Sequence, residues 1–210
     1  MIVTELRKRR HRLTAVILDD GEPVPVDTET LLTAGIAVGS SLTPEQWEEL
    51  IALSQSNRAY EKALYLLEYR AHSRKELADK LRREYGEELA LQTVEKMDVL
   101  GLTDDESFAR DYARELLTVR QYGVHRVRSE LLRKGIDKEL VEQILAEQEE
   151  DPVERLAQLI GKKYRPLPTD PKGMQKIMAA MVRRGYEFSD VRQALTRLTD
   201  EEIEEEESWP

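Results

Sequence analysis

Positive charge is the most concentrated chemistry in this sequence. Arg7-Lys8-Arg9-Arg10-His11-Arg12 sets five fixed cations within six residues, with no acid between Leu6 and Leu18. In an extended strand, alternation would send Arg7, Arg9 and His11 to one face and Lys8, Arg10 and Arg12 to the other. Arg126, Arg128, Arg133 and Lys134 crowd a second stretch, and Lys162, Lys163, Arg165, Arg183 and Arg184 form a third group. Such clusters suit phosphates or an acidic protein surface. The plainer alternative is a solvated face offset by acids such as Glu130 and Glu139. Aromatic residues add a second kind of contact, because their faces can stack on bases. Most of the tyrosines share helical rows with Leu and Ala and suit core packing. Tyr65 and Tyr69 lie four apart and partly off the main apolar stripe, which fits an interface better.

Catalytic chemistry is poorly represented. No G-x-x-x-x-G-K-[ST] loop or G-x-G-x-x-G turn is present to cradle a phosphate. His11, His72 and His125 stand apart without metal-ligand spacing and are expected at the surface or its boundary. Asp104-Asp105 could be imagined as an acid–base pair, but adjacent helical residues diverge, and early acids suit the helix dipole. The chain has no cysteine, which removes disulfides and thiolate chemistry and fits a reducing cytoplasm. No enzyme activity, cofactor or metal is expected. No apolar run approaches the ~18 residues of a membrane span. The opening MIVTELRKRRHRL has its apolar residues before its basic ones, so it is not expected to be a secretory signal.

These side chains must be positioned by many short amphipathic helices. Charged residues make up 35% of the chain and apolar ones 40%, a balance that favours small helices with wet outer faces over one thick core. The formal charge of −10 is uneven: Asp200 to Glu207 carries seven acids and no base, and without it 35 acids face 32 bases. The body is therefore near neutral, with basic patches and an acidic tail.

Gly123 to Leu145 holds the repeating pattern. Val127, Leu131 and Leu132 share one helical face, Gly135 stops the helix, and Asp137 caps the next, whose apolar face is Leu140, Val141, Ile144 and Leu145. Fifty positions later Gly173, Ile177, Met181, Gly185 and Val191 repeat it, and fifty earlier Ser73, Leu77 and Leu81 do so with a stop at Gly86. A fixed period of this size means stacked copies of one helical unit.

Ahead of the repeats, Ile2 to Leu6 and Leu13 to Leu18 read as strands, Asp20-Gly21 as a turn, and Pro23 to Val26 as an edge strand. Asp27 caps a short helix stopped by Gly35. Thr43-Pro44-Glu45-Gln46 starts a leading helix that either runs to Arg70 or breaks near Ser54 to Asn57, with Leu50, Leu53, Tyr60, Ala63, Leu64 and Leu67 on its apolar face. Ser73 and Thr103 open further helices. Along Asp105 onward, Phe108, Tyr112, Leu116 and Ala109, Ala113, Leu117 form adjacent rows. The expected division is 1–42, a small β-hairpin plus helix module; 43–102, the leading helix and first three-helix repeat; 103–150 and 151–198, the second and third repeats; and 199–210, an acidic disordered tail.

Three segments then carry a family resemblance: Arg70-Ala71-His72-Ser73-Arg74-Lys75-Glu76-Leu77; Gly101-Leu102-Thr103-Asp104-Asp105 with Phe108-Ala109; and Gly123 with Leu131-Leu132-Arg133-Lys134-Gly135-Ile136. In order and spacing they resemble the signature of the RecX regulatory proteins, over about residues 59–198. The resemblance implies a mainly α fold of tandem three-helix repeats in an elongated curved array. It also implies a monomer that binds RecA filaments on single-stranded DNA, lies in the filament groove and restrains RecA in homologous recombination, DNA repair and the SOS response. It adds Arg70, Arg74 and Lys75 to the candidate contacts. The Glu-rich C-terminus is not part of that family pattern, and the third unit lacks the charged-aromatic signature of the first two. The competing expectations are a direct DNA-binding helical module and a scaffold repeat protein.

Overall fold

The computed structural model describes residues 1–19, 21–147 and 151–207, except for the side chains of 201–207. It comprises two compact units, Met1–Asp104 and Asp105–Pro210. Among the described residues, the buried hydrophobic side chains gather in four cores, one for the N-terminal module and one for each three-helix repeat.

Strands β1 (Val3–Lys8), β2 (Leu13–Leu18) and β3 (Val24–Asp27) form an antiparallel meander in that order. Val3, Val16 and Val26 bury their branched side chains on one face. β3 is an edge strand and accommodates Pro25, which has no N–H to give a ladder. Helix α1 (Thr28–Thr33) follows, capped by the Asp27 carboxylate, which accepts the Thr30 N–H at 2.8 Å.

The basic run does not alternate as a strand. β1 ends at Lys8, and Arg9 donates its N–H to the Leu13 carbonyl at 2.8 Å, leaving Arg10, His11 and Arg12 as the loop. His11 and Arg12 both have φ of +58°, a left-handed conformation that costs about 1–2 kcal/mol per residue with a side chain. Charge density and a tight reversal of the chain therefore coincide there.

Helix α2 (Pro44–Tyr69) is continuous for 26 residues. It does not break at Ser54 to Asn57 because those side chains bond elsewhere. Ser54 Oγ accepts the Asp27 N–H at 2.7 Å, and Asn57 Nδ2 donates to Thr30 Oγ1 at 3.0 Å. Polar groups that would compete with the helix backbone are thus used to hold β3 and α1. The N-terminal half of α2 packs Trp47, Leu50 and Ile51 into the module core, and its C-terminal half packs Tyr60, Ala63, Leu66 and Leu67 into the first repeat. Leu53 and Leu64, expected inside, are exposed, because the buried face follows Leu50, Ser54, Ala59 and Ala63.

The first repeat adds α3 (Arg74–Tyr85) and α4 (Glu87–Val99), centred on the fully buried Leu77, Leu81 and Met97. Each such side chain contributes roughly 1.5–3 kcal/mol of burial. His72, expected at the surface or boundary, lies buried at the entry to α3, with Nδ1 2.8 Å from the Arg70 carbonyl oxygen.

The second repeat consists of α5 (Asp105–Arg114), α6 (Val124–Arg133) and α7 (Lys138–Ala146). After Arg114 the backbone widens into a π-helical turn over Glu115–Val119, closed by the Arg120 N–H on the Glu115 carbonyl. That wide turn keeps Leu116 and Leu117 both in the core. The third repeat consists of α8 (Pro152–Tyr164), α9 (Pro171–Arg183) and α10 (Phe188–Glu207). The acidic segment expected to be disordered instead continues α10 to Glu207. Glutamate is a good helix former, and propagation from a packed helix is easy once the first turns are fixed. The remainder of that expected tail, 208–210, lies outside the described residues.

Candidate protein and nucleic-acid interface

The candidate residues fall into two groups, cations already engaged within the fold and side chains that face solvent. The second basic cluster belongs mostly to the first group. Arg128 makes a two-pronged contact with Glu142, at 2.7 and 2.9 Å. That partner raises the Arg128 pKa and holds the Glu142 carboxyl below its ordinary range. Arg133 contacts Glu130 one turn back, and the Lys134 ammonium lies 5.5 Å from the centre of the Tyr112 ring.

Arg126 and Arg184 come together at the junction of the second and third repeats. Both guanidiniums flank the Tyr122 ring, at 4.1 and 5.8 Å from its centre. Arg184 also donates to the carbonyl oxygens of Arg120 at 2.7 Å and Gln121 at 3.4 Å, and the Tyr186 hydroxyl donates to Gln121 at 3.3 Å. Nearby, His125 Nε2 lies 3.0 Å from a Glu187 carboxylate oxygen.

The backbone completes this junction. Gly123 is the N-cap of α6, and Gly185, with φ of +92°, ends α9. The Gly123 N–H donates to the Arg184 carbonyl at 2.9 Å, and the His125 N–H donates to the Gly185 carbonyl at 3.1 Å. The free donors of one helix start thus meet the free acceptors of another helix end. Sequence periodicity pairs Gly123 with Gly173 and Gly135 with Gly185, but it cannot reveal that Gly123 touches Gly185. A small cleft of 210 Å³ beside the junction is lined by residues including His125, Arg128, Arg155 and Glu187. It is smaller than the roughly 300 Å³ at which ligand pockets begin.

In the first repeat, Arg70 grips Glu76 at 2.7 and 3.1 Å, Arg74 lies 3.3 Å from Asp98, and Lys75 lies 2.8 Å from Asp79. Tyr65 and Tyr69 are 62% and 81% exposed on one side of α2, and Lys62 lies over the Tyr65 ring. In the third repeat, Lys162, Lys163 and Arg183 are exposed, with Lys163 over Tyr164.

At the N-terminal hairpin, Arg7 is tied to Glu5, and Arg12 bridges Glu29 of α1 and Glu61 of α2. Lys8, Arg9 and Arg10 are exposed. Among the described residues, their side chains have no carboxylate, hydrogen-bond or ring partner. Also among the described residues, no group of His, Asp and Glu could hold a metal, and no helix is long and apolar enough to cross a membrane.

Three family models match this chain in tandem. They are described as the first, second and third three-helix domains of RecX, over residues 59–97, 104–145 and 149–195. The chain is 28% identical over 199 residues to a regulatory protein RecX from Caldanaerobacter subterraneus subsp. tengcongensis, covering 93% of this chain and 98% of the relative. It is 32% identical over 151 residues to one from Prosthecochloris aestuarii, covering 69% of this chain and 96% of the relative. A crystal structure of a regulatory protein RecX aligns with TM-score 0.65 and 21% identity over 93% of this chain and all of that one. A second, of RecX from Lactobacillus salivarius, aligns with TM-score 0.58 and 24% identity over 69% of this chain and 97% of that one.

Proposed function

The chain belongs to the RecX family, and on that premise we propose that it regulates RecA recombinase by binding RecA filaments on single-stranded DNA. It lies in the filament groove and inhibits or modulates recombination, ATP hydrolysis and coprotease activity. It acts in the cytoplasm, as a monomer, by occupying surface rather than by catalysis.

The observation that best supports this is the repeat construction itself. Each three-helix unit closes its own apolar core, and the rings of Tyr65 and Tyr69 stay exposed outside it. A tandem of such units repeats one kind of surface along the chain, which suits a partner that is itself a repeating polymer. Tyr65 and Tyr69 are the aromatic anchors of the contact, because exposed tyrosines bury large area at little entropic cost. The exposed cations Lys162, Lys163 and Arg183 steer encounter and set register.

The test is single-stranded-DNA-dependent ATP hydrolysis by RecA, titrated with this protein. Inhibition at fewer than one copy per RecA protomer is the expected result. An unchanged rate, with the protein shown to be folded, overturns the proposal.

A further inference from the structure

We propose that the tip of the β1–β2 hairpin is a direct binding site for the phosphate backbone of nucleic acid, formed by Lys8, Arg9 and Arg10 and independent of RecA. This deepens the filament reading at a point where the ligand is DNA itself. Naked nucleic acid therefore tests it separately.

The first support is selective. In the second cluster, Arg128 and Arg133 are matched to acids and Arg126 and Lys134 lie over tyrosine rings. At the hairpin, Arg7 and Arg12 are likewise matched, to Glu5, Glu29 and Glu61. Lys8, Arg9 and Arg10 remain exposed without an internal partner among the described residues. Even with the three neighbouring acids counted, the tip is net cationic.

The second support is conformational. His11 and Arg12 hold left-handed backbone that glycine or asparagine would adopt more easily. The strain is held in place from outside. The Arg12 carbonyl accepts the Thr28 N–H at 2.9 Å, and its guanidinium reaches both α1 and α2. Strained backbone that its surroundings over-determine is characteristic of binding elements. Here its effect is to fix the turn that follows the exposed cations Lys8, Arg9 and Arg10.

The side chains also indicate the ligand class. Arg7 through Arg12 include no Leu, Ile, Val, Met, Phe, Tyr or Trp to anchor a protein interface. The run has one ring, the His11 imidazole, and no amide to read adenine. The contact that all three exposed cations can make together is charge-assisted bonding to phosphate oxygens, which carries no sequence information.

The experiment measures fluorescence anisotropy of labelled oligonucleotides of two unrelated sequences, single-stranded and duplex, without RecA, over a range of salt. Unaltered protein is compared with a Lys8→Ala, Arg9→Ala, Arg10→Ala variant and with a charge-preserving Arg9→Lys, Arg10→Lys variant. The alanine variant should bind single strands at least tenfold more weakly at low salt. Its slope of log affinity against log salt should be shallower by about 2, at roughly 0.7 for each phosphate that the protein no longer neutralises. The lysine variant should keep the slope, and neither nucleotide sequence should be preferred. Unchanged affinity and slope in the alanine variant overturn the proposal, as does no binding by the unaltered protein. If DNA binding is unchanged while the effect on RecA disappears, the tip touches an acidic protein surface instead, and the proposal fails.

Discussion

Gly123 and Gly185 meet backbone to backbone, so closely that a Cβ on Gly123 would lie 2.2 Å from the Gly185 carbonyl oxygen. In the other direction, a Cβ on Gly185 would lie 2.4 Å from the Arg126 Cβ. Neither clash can be relieved by rotating a flexible side chain. Gly123→Ala should therefore destabilise the second unit by about 2–4 kcal/mol, as overpacked sites do. Gly39→Ala is the control. Gly39 has φ of +92°, where Gly123 has −76°, but nothing lies within 4 Å of the added atom, so it should lose only the roughly 1–2 kcal/mol of left-handed strain. Urea unfolding of the two variants checks the contrast.

Arg184 is a candidate contact by sequence, yet its guanidinium bonds the carbonyls of Arg120 and Gln121. Arg184→Ala should lower stability by about 1–3 kcal/mol, because those acceptors lose a charged donor. Arg184→Lys should restore little of it, since an ammonium cannot span two carbonyls as a planar fork does. Thermal melts of both variants decide this, and full rescue by lysine would show that charge alone matters.

Tyr65 and Tyr69 predict the opposite pattern. Both are exposed, so the double change to Ala should alter stability by no more than about 0.5 kcal/mol. The same variant should need about tenfold more protein for half-inhibition of RecA ATP hydrolysis, the scale expected of an aromatic anchor. Equal inhibition by the variant would remove the pair from the interface.

His72 gives the fold a pH dependence. Burial pushes its pKa down, with the Arg70 carbonyl opposing. A histidine depressed in the folded state binds its proton more readily when unfolded. Its stabilising contribution is complete above the ordinary value of 6.5 and is lost as pH falls below it toward the folded pKa. Urea midpoints should therefore drop between about pH 7.5 and 5.5, and His72→Gln should flatten that drop. An identical slope in the variant would assign the effect to other groups.

The repeats are legible in the sequence because local rules agree in them. The rows containing Phe108 and Ala109, the glycine stops at Gly101, Gly135 and Gly185, and the Asp137 cap each state the same boundaries. The pairings are not legible. Arg128 finds Glu142 and His125 finds Glu187 across 14 and 62 positions, and no periodicity encodes such distances. The hairpin tip is half legible. Its charge is plain in the sequence, but alternation fails because the chain reverses within the cationic run rather than after it. The acidic segment reads as solvated by composition, while its helical form comes from continuity with the packed part of α10.

Helix α2 has an implication for how the protein can be cut. At about 1.5 Å per residue, its 26 residues make a rod nearly 40 Å long, one half seated in each of two cores. Amide protons along both halves should therefore exchange with deuterium as one cooperative block. The strands are then not a detachable appendage. A version beginning at Thr43 would keep every family-matched repeat yet expose Trp47, Leu50 and Ile51 to water, creating an adhesive apolar stripe where the intact molecule has a sheet.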